Sequence, residues 1–222
     1  TYTTIKRLTE NGDPESFSRT YGSTVSFQVD SNRNVIIGGF DDFQGKPQVF
    51  KINSTDYPAS GFDPGYNYYD CGITSVDIQS DGKILVGGSF GSYGSQYTSY
   101  FPVNCLLRLN PDGSLDTSFT CPELVGEYIG RCANPKVTAV LVQPDGKILV
   151  GGIFPPYNGA PSRNLIRLNS DGTIDNTFVT GTGTNAGINA ISLRANGNIL
   201  ISASNVSPPN SFQPLVYNTY NV

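Results

Sequence analysis

An eight-residue phrase occurs twice in identical form, Asp81-Gly-Lys-Ile-Leu-Val-Gly-Gly88 and Asp145-Gly-Lys-Ile-Leu-Val-Gly-Gly152. Looser copies are Asn32-Arg-Asn-Val-Ile-Ile-Gly-Gly39 and Asn196-Gly-Asn-Ile-Leu-Ile-Ser-Ala203, so the phrase ends at 39, 88, 152 and 203, with spacings of 49, 64 and 51 residues. A second phrase alternates with it: Leu106-Leu-Arg-Leu-Asn-Pro-Asp-Gly113 and Leu165-Ile-Arg-Leu-Asn-Ser-Asp-Gly172, with relatives at Ile5–Gly12, Val49–Asn53 and Leu215–Asn218. Periods of this length mark supersecondary units that cannot bury their apolar faces alone and must stack on their neighbours.

Each unit reads as four strands. In the third unit, strand A is Val137–Gln143, rich in β-branched residues, and Pro144-Asp-Gly146 turns the chain into strand B, Lys147–Val150. Glycine accepts the positive φ that such a turn needs. Strand C is Asn164–Asn169, and after Ser170-Asp-Gly172 strand D is Thr173–Phe178. Strands A and B are near-continuous apolar runs, which implies sheets covered on both faces. A sandwich would show cleaner alternation on its outer faces, whereas sheets stacked radially bury both. The expectation is an all-β, four-bladed β-propeller in one domain, 1–222, with strands A near the axis. Its units span 24–62, 73–119, 137–178 and 188–220, and 1–21 forms a C–D strand pair. Its D segment would complete the last sheet and close the ring, and the surplus C strand would form an extra edge strand, pair with another subunit, or belong to a blade upstream.

The residues Gln143-Pro-Asp-Gly-Lys-Ile-Leu-Val-Gly-Gly152, Leu165-Ile-Arg-Leu-Asn169 and Asp171-Gly-Thr-Ile-Asp-Asn-Thr-Phe178 resemble the delta-60 repeat family, and the resemblance runs over essentially the whole chain. It implies a β-propeller and says little about activity, since such repeats occur in proteins of varied role. The first unit departs from the pattern with Arg33 in place of Gly82 and Gly146, and the last with Ser202-Ala203 in place of Gly-Gly.

Composition narrows the chemistry. The net charge is −4 and the longest basic run is Lys6-Arg7, so the electrostatic footprint of a nucleic-acid binder is missing. No stretch approaches the length of a membrane span and no signal-peptide pattern is present, so membrane insertion is not expected. The chain contains no histidine, which rules out Ser-His-Asp and Cys-His machinery and histidine metal sites. A pair of aspartates could serve glycoside hydrolysis, but no pair stands out in sequence. The four cysteines, Cys71, Cys105, Cys121 and Cys132, lack metal-site spacing. Cys121 and Cys132 flank one irregular insertion, which suits a local disulfide; buried free thiols are the alternative. Cys71 and Cys105 stay unassigned.

The turns Asn110-Pro-Asp-Gly-Ser-Leu-Asp116 and Asn169-Ser-Asp-Gly-Thr-Ile-Asp175 place oxygens at alternate positions, as calcium loops do, but lack the longer loop and terminal glutamate. Tight turns whose aspartates bond nearby N–H groups are the better reading. Asp41-Asp42 reads as a solvated loop pair, and no metal or cofactor is expected. Asn53-Ser-Thr55 and Asn205-Val-Ser207 match the glycosylation acceptor pattern, which is short and common by chance.

The connections divide into two sets. The A–B and C–D turns are short and repetitive; the B–C and D–A connections are long, variable and aromatic, and belong on the opposite face. Tyrosine there offers large contact area at low entropy cost with a polar tip. The candidate partner face comprises Tyr66, Tyr68, Tyr69, Tyr93, Tyr97, Tyr100, Phe101, Tyr128 and Tyr157. The function expected is non-catalytic binding of a protein or glycan, in a phage virion component such as a decoration, neck or tail-attachment protein, or in a secreted or cell-surface bacterial propeller. A carbohydrate-active hydrolase or lyase using aspartates near the axis is the rival.

Overall fold

The structure, a computed structural model, describes residues 3–21, 24–40, 47–53, 59–64, 72–90, 92–93, 101–102, 105–122, 136–153, 164–179 and 186–204. These residues are all-β, and among them no helix is long and apolar enough to cross a membrane. The strands are β1 (Thr3–Leu8), β2 (Pro14–Tyr21), β3 (Thr24–Val29), β4 (Val35–Phe40), β5 (Pro47–Ile52), β6 (Ile73–Ile78), β7 (Ile84–Gly88), β8 (Ser92–Tyr93), β9 (Phe101–Pro102), β10 (Leu106–Leu109), β11 (Lys136–Val142), β12 (Ile148–Ile153), β13 (Leu165–Leu168), β14 (Gly187–Leu193) and β15 (Ile199–Ser204). They form antiparallel sheets β3-β4-β5, β6-β7-β10 and β11-β12-β13, then the pair β14-β15, with the hairpins β1-β2 and β8-β9 apart from them.

The sheets stack in chain order, and strand alternation explains the stacking. Along β7, Ile84 and Val86 join a core with Ile36, Val49 and Ile73 of the units around the first interface. Leu85, between them, points the other way into a core with Val137, Val140 and Ile148. One sheet later, Ile148 and Val150 face back while Leu149 faces on to Ile188, Ile199 and Ile201. Successive side chains of a strand point to opposite faces, so a sheet covered on both must be apolar at every position. The continuous apolar phrase is therefore the sequence of a middle layer.

The Gly-Gly end of that phrase sets how closely the layers meet. A Cβ on Gly38 would lie 2.6 Å from Ile73 Cγ2, one on Gly87 2.6 Å from Val137 Cγ1, and one on Gly151 2.7 Å from Ile188 Cγ2. Each glycine thus receives the first β-branched residue of the next strand A. Every strand A also carries a β-bulge at the following residue: register shifts fall between Thr24/Ser26, Ile73/Ser75, Val137/Ala139 and Ile188/Ala190. The bulged Thr74 hydroxyl contacts the carbonyls of Gly87 (3.2 Å) and Val137, and Thr138 repeats this with Gly151 (3.2 Å) and Ile188.

Successive strands A are joined directly as well. Val76 N–H donates to Ser26 Oγ (3.1 Å), Val140 N–H to Ser75 Oγ (3.0 Å), and Val142 N–H to Asp77 Oδ2 (2.7 Å). These N–H groups lie on a sheet edge without a strand partner, and each is satisfied by the preceding unit.

Strand D is far shorter than the sequence suggests. Among the described residues it is a single bridging position, Leu115 opposite Leu109 and Ile174 opposite Leu168. The reason lies one residue on. Asp116 Oδ1 accepts the N–H (3.0 Å) and hydroxyl (2.6 Å) of Ser118, and Asp175 Oδ1 accepts those of Thr177 (3.0 and 2.6 Å). Such an Asx turn competes with the ladder and curls the chain off the sheet.

Candidate binding face

The short turns gather on one edge of the stack. In the A–B turns, Gln79 N–H donates to Lys83 O and Gly82 N–H to Gln79 O; Gln143, Lys147 and Gly146 repeat the pattern, as do Arg194, Asn198 and Gly197. Arg33 keeps the geometry without being glycine, at φ +64° where Gly82 and Gly146 stand at +84°. The C–D turns share the same pattern, Asn110 N–H to Ser114 O with Gly113 N–H to Asn110 O, and likewise Asn169, Thr173 and Gly172. A Cβ on Gly82 would lie 3.4 Å from Pro111, and one on Gly146 3.9 Å from Ser170, so both turns of a unit sit side by side.

The turn aspartates are absorbed locally, as the tight-turn reading expects. Asp112 Oδ1 accepts the N–H (2.9 Å) and hydroxyl (2.7 Å) of Ser114, and Asp171 Oδ1 does the same with Thr173 (2.9 and 2.7 Å). Those bonds hold both carboxyls below the usual carboxylate range.

Behind the turns lies a charged cluster that sequence reasoning missed. Asp116 Oδ2 meets Arg108 Nε at 2.8 Å and Lys83 Nζ at 2.9 Å, and the Arg108 guanidinium lies 4.6 Å from the Phe119 ring centre. In the third unit, Asp175 Oδ2 meets Arg167 Nε at 2.7 Å and Lys147 Nζ at 2.9 Å, with Arg167 4.6 Å from Phe178. Burial alone would raise Asp116 and Asp175, but hydrogen bonds from Ser118, Lys83 and Arg108, and from Thr177, Lys147 and Arg167, outweigh it and hold both carboxyls well below the usual range. The signal was present: Arg in Leu-x-Arg-Leu-Asn, Lys after the Asp-Gly of the A–B turn in both units, and Asp-x-Ser/Thr-Phe recur together. Both oxygens of each carboxylate are engaged, which suits a structural joint.

Asp77 belongs to an inner strand A, and burial raises its carboxyl above the ordinary value. Its Oδ2 accepts Val142 N–H (2.7 Å) and its Oδ1 accepts Ile78 N–H (2.8 Å). Among the described residues no group of three or more Cys, Asp or Glu side chains is placed to hold a metal ion.

The opposite edge is where β7 and β12 end and where β10 and β13 begin. Of the aromatic candidates, Tyr93 and Phe101 fall within the described strands, and β8-β9 pairs them directly across from one another. Tyr66, Tyr68, Tyr69, Tyr97, Tyr100, Tyr128 and Tyr157 lie outside the described residues, as do Asp41 and Asp42. The D–A connections begin elsewhere than expected. Asp63 N–H donates to Asp112 O (2.8 Å) and Thr120 N–H to Asp171 O (3.1 Å), so these segments set out from the turn edge. The curl at Asp116 and its counterparts, which ends strand D early, is the cause.

Cys121 is a free thiol, partly buried and packed against the core that holds Cys105; Cys132 lies outside the described residues. Burial, with Cys105 nearby, pushes the Cys121 thiol up to about 12, and burial pushes Cys105 up to about 11. Burial of this kind disfavours the thiolate, the reactive form of cysteine.

Residues 79–119 and 143–178 match the family described as "Domain of unknown function (DUF5122) beta-propeller", so the second and third units are β-propeller repeats, in line with the delta-60 resemblance. No curated protein matches the chain. Among solved structures, a virginiamycin B lyase from Staphylococcus aureus is 14% identical with a TM-score of 0.47, over 90% of this chain and 52% of its own. The extracellular domain of a B. thetaiotaomicron protein is 17% identical with a TM-score of 0.49, over 95% of this chain and 24% of its own. PorZ, a surface component of the type-IX secretion system of Porphyromonas gingivalis, is 12% identical with a TM-score of 0.41, over 86% and 25%. The chain spans about half the length of the first of these and about a quarter of the other two.

Proposed function

We propose that this chain of β-propeller repeats is a non-catalytic binding module that meets a protein or surface glycan with the edge bearing Tyr93 and Phe101, in a virion or at a cell exterior. The observation that carries this reading is the occupation of the turn edge. Its aspartates, its Arg108–Lys83–Asp116 joint and two of its C–D turns are bonded within the stack, which leaves the aromatic edge for a partner. The same accounting weighs against hydrolysis, because both oxygens of the inner-strand Asp77 accept backbone N–H groups.

The test is a binding screen of the full chain against surface polysaccharides, followed by substitution. Tyr93→Ala with Phe101→Ala should cost about 2 kcal/mol or more of binding, as for aromatic anchors near an interface centre. Asp112→Ala should leave binding intact. Turnover of a polysaccharide, abolished by Asp77→Asn, would establish the hydrolase instead.

A further inference from the structure

The turns of the two middle units carry Asp-Gly: Asp81-Gly82 and Asp145-Gly146 between strands A and B, Asp112-Gly113 and Asp171-Gly172 after strand C. Asn-Gly stands instead at Asn11-Gly12, between β1 and β2, and at Asn196-Gly197, between β14 and β15. In the first unit's A–B turn Asn32 is followed by Arg33. All these turns share one bond, in which the second residue of the pair donates its N–H to the carbonyl three residues back. Gly12 donates to Thr9 O (3.0 Å), Arg33 to Asp30 O (3.0 Å) and Gly197 to Arg194 O (2.9 Å).

Chemistry separates the Asp turns from the Asn turns. The nitrogen of a glycine is unhindered by any side chain of its own, so it can approach the Cγ of the residue before it. A carboxylate, already anionic, repels the incoming nitrogen and offers no good leaving group, whereas a neutral amide releases ammonia. The surroundings separate the turns as well. A Cβ on Gly113 would lie 2.9 Å from the Asp63-Pro64 backbone and one on Gly172 2.8 Å from Phe119, but on Gly12 or Gly197 it would meet nothing within 4 Å. Asn11 and Asn196 are themselves exposed.

We propose that Asn11 and Asn196 are sites of spontaneous deamidation, with Asn11 the faster. At Asn11, the Gly12 nitrogen bonds to Cγ and gives its proton to water or hydroxide, the Cγ–Nδ2 bond breaks, and ammonia leaves a succinimide. Water then opens the ring at either carbonyl. The product is aspartate or, with the backbone rerouted through the side chain, isoaspartate. Each event replaces a neutral amide by a carboxylate and adds one negative charge to a chain of net charge −4.

The order of the two sites follows from the fold. In both turns the glycine N–H is tied to a carbonyl, so ring closure waits for local opening. The β1-β2 hairpin is a two-stranded sheet by itself, which is marginal in water. The β14-β15 pair is held by the core that joins Ile188, Ile199 and Ile201 to Leu149 of the preceding sheet. Asn196 Oδ1 also accepts the Asn198 N–H (3.2 Å), which restrains the side chain that must be attacked.

Incubation of the folded chain in mildly alkaline buffer, with peptide mass mapping at intervals, tests this. Mapping also separates these sites from Asn158-Gly159, which lies outside the described residues. The amide-to-acid mass gain should appear first at Asn11, several-fold more slowly at Asn196, and more slowly still at Asn32, where the Arg33 side chain hinders the nitrogen. In urea the rates at Asn11 and Asn196 should converge, because the fold no longer acts. Asn11→Asp should abolish the first event and leave the denaturation midpoint unchanged. Amides kept at both sites in the folded chain while urea releases them, or Asn196 reacting ahead of Asn11, would overturn the inference.

Discussion

The two middle sheets and the two outer ones are written in one repeat, but equivalent positions meet different surroundings. Leu85 and Leu149 are fully buried between sheets, while Leu200 at the same place in the last sheet is 38% exposed. Val76 and Val140 are buried against a preceding glycine, while Phe27, their counterpart in β3, is 57% exposed. The second and third units hold the only stretches that match the propeller family model, and they are the units with a neighbouring sheet on each side. The repeat therefore encodes the joint between units more than the unit itself. What recurs at the described joints is glycine for close approach and a branched residue to fill it, with a cation reaching the next turn at two of them.

The largest effect should come from the charged joints, and it tests whether the two middle units are equivalent. Asp116→Ala and Asp175→Ala each strand a buried arginine, and each should cost about 3–5 kcal/mol in urea denaturation. A large inequality between them would break the equivalence. The same carboxyls set an acid limb. Their folded-state values lie below the unfolded ones, so their contribution is complete above about pH 5 and is lost as pH falls through the carboxylate range. Asp116→Asn with Asp175→Asn should flatten stability against pH below that point.

Next comes the contrast between an inner and an outer layer. Gly87→Val drives side-chain atoms into Val137 and should destabilise by about 3 kcal/mol, at the upper end for overpacking. Ser202→Val, at the matching place on the exposed face of the last sheet, should change the isolated chain by less than about 0.5 kcal/mol. Equal costs would show that position 202 is also covered.

A smaller contrast separates Gln79 from Gln143, its counterpart one unit on. Gln79→Ala removes bonds to Arg108 and Ser170 and should cost about 1–2 kcal/mol. Gln143→Ala removes an acceptor without a partner among the described residues and should be close to neutral. The smallest effect concerns the first turn. Arg33→Gly relieves a left-handed backbone at φ +64° and should stabilise by about 0.5–1 kcal/mol, read as a shift in denaturation midpoint.

Strands A, B and C were legible because short apolar runs, branched side chains and Asp-Gly turns all point the same way. The expected Val137–Gln143, Lys147–Val150 and Asn164–Asn169 emerge as Lys136–Val142, Ile148–Ile153 and Leu165–Leu168. Strand D was not legible, since the hydrogen bonds of Asp116 and Asp175 that end it look in sequence like ordinary turn chemistry. The charged joint was hidden for a related reason. Arg108 and Arg167 sit among leucines in a pattern that suggests a solvent face, and only the stacking of the next sheet buries them. Of the aromatic face, the described residues place one pair, Tyr93 and Phe101, in register; a loop's sequence fixes its composition but not its path.

Each sheet is assembled from a continuous stretch of chain, and the bulged threonines tie it to the sheet that follows. Among the described residues each joint links units adjacent in sequence, so structure can start in one unit and spread along the chain. The cost of losing a unit then depends on how many joints it shares. Amide exchange should accordingly be slowest in β7 and β12, which are held on both sides, and quickest in β14 and β15, so that the chain opens from its ends while its middle is still folded.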